Sequence, residues 1–157
     1  GLAEAEAKIG RLALMMDDRV KNVINAAALA IQTDARKRLT RSKAVDTGRL
    51  RSSVRPTFYH AGLAADIGTD VAYAPYIEYG TGPGGEPRGK TYFPPRDALL
   101  GWMKRHGIPP EAEFLIRRKL NRKGTPARPF LFPAFEAQKA NYLNDLKEAL
   151  KALERVR

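Results

Sequence analysis

The sequence predicts an α+β fold: a long N-terminal helix, a small antiparallel β-meander, two short inserted helices and a C-terminal amphipathic helix. Three observations carry this expectation. Apolar residues recur at steps of three and four over residues 3–39 and again after Pro133, the spacing of one helix face. Between these stretches, residues 50–67 alternate apolar and polar, the period of a strand with one covered side. The links between the strand-like stretches are too short for a βαβ crossover, so the pairing is expected to be antiparallel.

The N-terminal stripe is Ile9, Leu12, Met16, Val20, Val23, Ala27, Ile31, Ala35 and Leu39. Asn25-Ala-Ala-Ala-Leu-Ala-Ile31 has high helix propensity and no proline interrupts the run; Gly10 is its one weak point. A helix over 3–39 spans roughly 55 Å at about 1.5 Å per residue, so it either projects, packs its stripe on another chain, or breaks and folds back. The meander is expected over 44–81. Its first strand sets Leu50, Ser52, Val54, Pro56 and Phe58 inward, with Arg51 and Arg55 outward; Pro56 marks an edge or a bulge. A tight turn near His60-Ala-Gly62 leads to a second strand through Leu63, Ala65 and Ile67, and a third is expected at Ala74–Tyr79.

Residues 82–124 form an excursion that opens in a Gly- and Pro-rich loop. Two helices are expected in it, Pro95–His106 and Pro110–Lys123. The second has Glu111 and Glu113 in its first turn, cations in its last and Gly124 beyond, an order that suits the helix dipole. Residues 127–155 hold the proline-broken Ala127-Arg-Pro-Phe-Leu-Phe132 and a final helix opened by Pro133. Its expected stripe is Phe135, Gln138, Tyr142, Leu146, Leu150 and Leu153.

At 157 residues with 43% hydrophobic content, the chain fits one folded domain, 1–157. No apolar run reaches the roughly 18 residues of a membrane span, the start has no signal-peptide pattern, and with Gly1 in place of Met the true start is unknown. The chain has no cysteine, which excludes disulfides and cysteine metal sites. Its net charge is +11. Residues 36–55 hold Arg36, Lys37, Arg38, Arg41, Lys43, Arg49, Arg51 and Arg55 against Asp46 alone. Residues 117–128 hold Arg117, Arg118, Lys119, Arg122, Lys123 and Arg128 with no acid. These two segments account for the whole excess. They are either solvated faces or surfaces for nucleic acid or an acidic protein.

Gly84-Gly-Glu-Pro-Arg-Gly-Lys-Thr91 matches G-x-x-x-x-G-K-[ST], the phosphate-cradling pattern that would assign Lys90 and Thr91 to nucleotide and magnesium. Its surroundings argue against that role. A working P-loop lies between a parallel strand and a helix N-terminus, whereas Pro94 and Pro95 keep the following residues from opening a helix. The match reads as coincidence. His60 in a turn and His106 at a helix end suit surface and capping roles. Asp66, Asp70 and Glu78 would meet around a cation only if their strands aligned. No catalytic, cofactor-binding or metal-binding residue is expected.

Three segments are more specific in combination: Val45-Asp-Thr-Gly-Arg-Leu-Arg-Ser-Ser-Val54, Tyr73-Ala-Pro-Tyr-Ile-Glu-Tyr-Gly-Thr81 and Ala127-Arg-Pro-Phe-Leu-Phe-Pro-Ala134. In this order, after a long helix, the chain from about residue 5 to 150 resembles the tail-component family of long-tailed bacteriophages typified by the tenth gene product of a lambdoid coliphage. The matching positions are Asp46, Thr47, Gly48, Leu50 and Ser53, then Tyr73, Tyr76, Glu78, Gly80 and Thr81, then Arg128, Pro129, Phe130 and Pro133. Ala44 stands where the family pattern has a leading proline, and residues 82–124 are longer than the link in compact relatives. The resemblance implies a virion protein assembled in the host cytoplasm, a neck or tail-completion subunit. It implies a ring, sixfold in expectation, joining the tail tube to the connector of the DNA-filled head. On that basis, the α-helical stripe and the 82–124 excursion are expected to meet other subunits or partners, and the basic segments to face DNA or acidic connector and tube proteins. A free-standing, sequence-nonspecific nucleic-acid-binding protein is the alternative. From the residues alone, Asp46 and Thr47 can bond nearby amides, Gly48 can supply a positive φ, and Arg128 can pair with Glu78.

Overall fold

The computed structural model describes residues 2–44, 46–82 and 93–154. The α+β class holds. The described elements are α1 (Leu2–Arg41), α2 (Arg49–Ser53), β1 (Arg55–Tyr59), β2 (Ala64–Gly68), α3 (Ala74–Glu78), α4 (Leu100–Arg105), α5 (Glu113–Lys123) and α6 (Leu131–Glu154). Short 3₁₀ turns lie at His60–Gly62 and Pro110–Ala112. The chain packs as two compact units: one contains α1 through Lys37, the hairpin and α6, the other residues 38–53 and 70–130.

In the first unit, α1 buries Ile24, Ala28, Ile31 and Ala35, spaced four, three and four residues apart. Ile31 and Ala35 are covered as expected, whereas Ile24 and Ala28 are buried in place of the neighbouring Val23 and Ala27, which are half-buried. Two side chains of α1 hold the start of the hairpin. Gln32 Nε2 and Arg36 Nη2 both donate to the carbonyl of Val54, at 2.9 and 2.8 Å. The hairpin pairs Arg55 with Gly68 through to Tyr59 with Ala64, and turns where His60, Ala61 and Gly62 all take positive φ. Gly62, at φ 96°, lies against the stem of Lys21: an added Cβ would sit 3.4 Å from Lys21 Cγ. The hairpin therefore runs beside α1 from the level of Arg36 back to Lys21. In α6, Ala134 is fully buried and Gln138, Tyr142, Leu146 and Ala149 are half-buried. Gln138, Tyr142 and Leu146 are the expected stripe, but Phe135 and Leu150 are both 45% exposed, with the neighbouring Ala134 and Ala149 covered instead.

Two expected strand segments are helical. Among the described residues the sheet has two strands, not a three-stranded meander. Leu50–Ser53 belongs to α2, where Ser52 Oγ bonds the carbonyls of Gly48 and Arg49, and Ser53 Oγ that of Leu50. Serine hydroxyls returning to the preceding turn satisfy that turn locally. Ala74–Glu78 is α3, with Pro75 in the first turn, where its missing amide costs nothing. The hairpin is also more open than alternation suggested, since Phe58, expected inward, is 42% exposed.

In the second unit, Leu39, Leu50, Val71, Ala74, Met103 and Phe130 are buried. α4 begins at Leu100 rather than Pro95. It ends as expected beside Gly107 (φ 65°), with the amide of Ile108 bonded to the Met103 carbonyl at 2.9 Å, a Schellman closure. α5 ends at Gly124. The excursion is pinched at its base by an antiparallel bridge between Thr81 and Thr125, whose amides and carbonyls exchange bonds of 3.0 and 3.2 Å. Their hydroxyls lie 2.8 Å apart. Gly124 makes this approach possible, because a Cβ there would fall 1.7 Å from the Thr81 carbonyl oxygen.

Candidate interaction site

The second and third motif segments meet in the second unit. Glu78, 7% exposed on α3, accepts the amide of Phe130 at 2.8 Å, and Phe130 itself is 2% exposed. Beside this bond, the amide of Arg128 donates to the Ile77 carbonyl at 2.8 Å. The Arg128 guanidinium reaches the Lys43 carbonyl, 85 residues away in sequence, at 3.2 Å. The fastening expected from an Arg128–Glu78 ion pair is thus made by backbone-directed bonds. Glu78 serves an amide that the proline-broken segment cannot pair in a sheet ladder, and Arg128 serves a carbonyl of the loop after α1.

The first motif is held differently from expectation. Asp46 pairs with Arg105 of α4 through both carboxylate oxygens, one bond measuring 3.1 Å. That hydrogen bond, opposed by desolvation and aided by the Coulomb attraction of Arg105 and His106, holds the Asp46 carboxyl below its ordinary range. Thr47 Oγ1 lies 3.5 Å from the Arg49 amide, and Gly48 takes φ 81°, the positive value expected of it. Gly80 (φ 74°) leads from α3 into the Thr81 bridge. Leu50 is buried and Ser53 half-buried, while Pro129 is exposed; Pro133 lies in the first turns of α6.

Most of the basic positions are open, with two exceptions. Lys37, Arg41, Arg51, Arg55, Arg118, Arg122 and Lys123 are exposed, and Arg38 is half-buried. Arg36 is bonded to the Val54 carbonyl. Arg117 does not face solvent: it is 9% exposed and donates from Nε to the Pro94 carbonyl at 2.7 Å. It also lies 3.4 Å from Glu113 and 4.3 Å over the Phe93 ring. Its role is to hold residues 93–94 on α5. On α5, Arg118 and Arg122 are four residues apart and so share one face.

An apolar groove of about 420 Å³ lies in this unit, lined by Tyr76, Ile77, Leu99, Leu120, Pro126 and Arg128 among others. Tyr73, Tyr76 and Tyr79, each three residues from the next, are 43%, 59% and 53% exposed. Among the described residues, no three carboxylate or histidine side chains are close enough to hold a metal ion. The expected alignment of Asp66, Asp70 and Glu78 depended on a third strand, which is α3. His106 caps α4, its Nδ1 2.9 Å from the Trp102 carbonyl. The P-loop-like stretch and the residues just after it lie outside the described residues; the element before it is α3, not the strand such a loop requires. No described helix is long and apolar enough to cross a membrane.

Sequence reasoning missed Arg105 and Thr125. The first is a lone cation on a short helix and gives no sequence signal as a partner for Asp46. The second had a signal in Gly124, whose place after α5 was read only as a helix stop. Comparison with family models, with curated proteins and with solved structures gives no match.

Proposed function

We propose that this chain is a structural virion protein of a tailed phage or prophage: a neck or tail-completion subunit forming a ring, sixfold by resemblance, between the tail and the DNA-filled head. One observation carries the reading. Asp46, Ser53, Glu78, Thr81, Arg128 and Phe130 of the three motifs each make a specific bond that fastens one segment to another part of the chain or to its own backbone, and Glu78–Phe130 is buried. Their chemistry is that of fasteners, which suits a subunit whose task is to hold shape under load. Open apolar side chains on α1 and α6, and the tyrosines of α3, supply surface for neighbouring copies, the connector and the tail-tube protein. Exposed cations on α1, β1 and α5 suit either passing DNA or acidic partners.

The test is complementation in a cell extract. Purified protein added to a lysate of the phage lacking this gene should raise the infectious titre; an unchanged titre with folded protein contradicts the proposal. The exposed cations of α5 favour one second reading, sequence-nonspecific nucleic-acid binding without ring assembly. That reading requires tight, strongly salt-dependent duplex binding by the isolated chain and no effect on the titre.

A further inference from the structure

We infer that the unassembled subunit pairs with a second copy of itself through the N-terminal half of α1, the two helices running antiparallel about a twofold axis between residues 12 and 13. The hairpin turn meets α1 at Lys21, against whose stem Gly62 lies. Beyond it, α1 continues for about 20 residues, roughly 30 Å. Along this stretch Ile9, Leu14, Met15 and Met16 are 66%, 68%, 46% and 45% exposed. Ala13-Leu-Met-Met16 places four apolar residues in succession, so apolar groups cover most of the way round the helix here. Such a segment requires cover.

Charge identifies what covers it. The excess of +11 lies in residues 36–55 and 117–128, which repel their counterparts in another copy. Residues 2–21 carry none of it, with four acids and four bases. These fall in alternating blocks: Glu4 and Glu6, then Lys8 and Arg11, then Asp17 and Asp18, then Arg19 and Lys21. A parallel, in-register pair would set every block against itself. An antiparallel pair centred between residues 12 and 13 brings Glu4 and Glu6 to the levels of Lys21 and Arg19, and Lys8 to that of Asp17. It also sets Ile9 level with Met16, along the narrow stripe formed by Ile9, Ala13, Met16 and Val20. The Asp17–Lys21 ion pair within α1 is compatible with this, since an ammonium has three donors.

The contact is isologous and closes on itself, so it yields a pair rather than a filament. It uses the stripe that a ring would also use, so assembly must open it. The inference concerns the isolated protein and does not depend on the virion reading.

The absence of native cysteine makes the test direct. Under mild oxidation, Ala13→Cys, beside the twofold axis, should cross-link to a covalent dimer. Ile9→Cys should not link to itself, because its two copies lie about seven residues, roughly 10 Å, apart along the axis, beyond disulfide reach. Mixed Ile9→Cys and Met16→Cys proteins should link to each other. By light scattering the wild type should be a dimer, and Ile9→Asp combined with Met16→Asp should weaken it at least about tenfold with unchanged helicity. A monomer at tens of micromolar would overturn the inference. So would Ile9→Cys linking to itself as readily as Ala13→Cys, or an oligomer indifferent to the double substitution.

Discussion

Glu78 is a buried carboxylate that accepts a backbone amide, so the cost of removing it falls on the amide left behind. Glu78→Ala should destabilise the protein by about 1–3 kcal/mol, and Glu78→Gln, which keeps an acceptor, by less. Urea unfolding measures both; equal losses would contradict the assigned bond. The Asp46–Arg105 pair is exposed, and its effect should be small. Its pH dependence has a definite sign. Pairing lowers the folded-state pKa of Asp46, so its contribution is full above the unfolded-state pKa and lost as pH falls through the folded one. Asp46→Asn should therefore melt slightly below wild type at neutral pH, with the gap closing as the carboxylate protonates. A gap independent of pH would assign the effect to something other than charge.

At the scale of elements, the Thr81–Thr125 bridge sets the strongest requirement. Gly124→Ala would drive a methyl group into the Thr81 carbonyl and should cost at least about 2 kcal/mol, whereas Gly107→Ala meets no neighbour and bears only its positive φ. Thermal melts of the two variants check the ordering. The long helices and the hairpin turn were legible in the sequence because many periods, or a glycine at a left-handed position, reinforced one another. α2 and α3 were not. Leu50 and Val54 are both buried four residues apart, as are Ala74 and Glu78, and a step of four satisfies both strand alternation and a helical turn. Over five residues the two periods cannot be separated, and the deciding interactions, the serine hydroxyls and Pro75, act on the backbone. The few positions where the α1 and α6 stripes bury a neighbour of the expected residue, at 23, 27, 135 and 150, have a related cause. Both helices carry more apolar residues than one face can bury, and packing rather than pattern selects which are covered.

For the whole molecule, charge and open apolar surface are the features that the fold leaves for others to satisfy. The sequence located the basic segments but could not show that Arg117 is committed inside, to Pro94 and Glu113, while Arg118 and Arg122 stay outside. Isolated subunits should bind duplex DNA through such exposed cations, losing at least about tenfold in affinity between about 50 and 200 mM salt. Charge reversal at Arg118 and Arg122 should reduce that binding without unfolding, whereas Arg117→Glu should destabilise the second unit. Fluorescence anisotropy and far-UV circular dichroism separate the two effects. The central claim concerns assembly, and electron microscopy of lysates from the parent phage with this gene deleted tests it most directly. Filled heads accumulating beside separate tails of normal length are the predicted result; intact, infectious particles would contradict it.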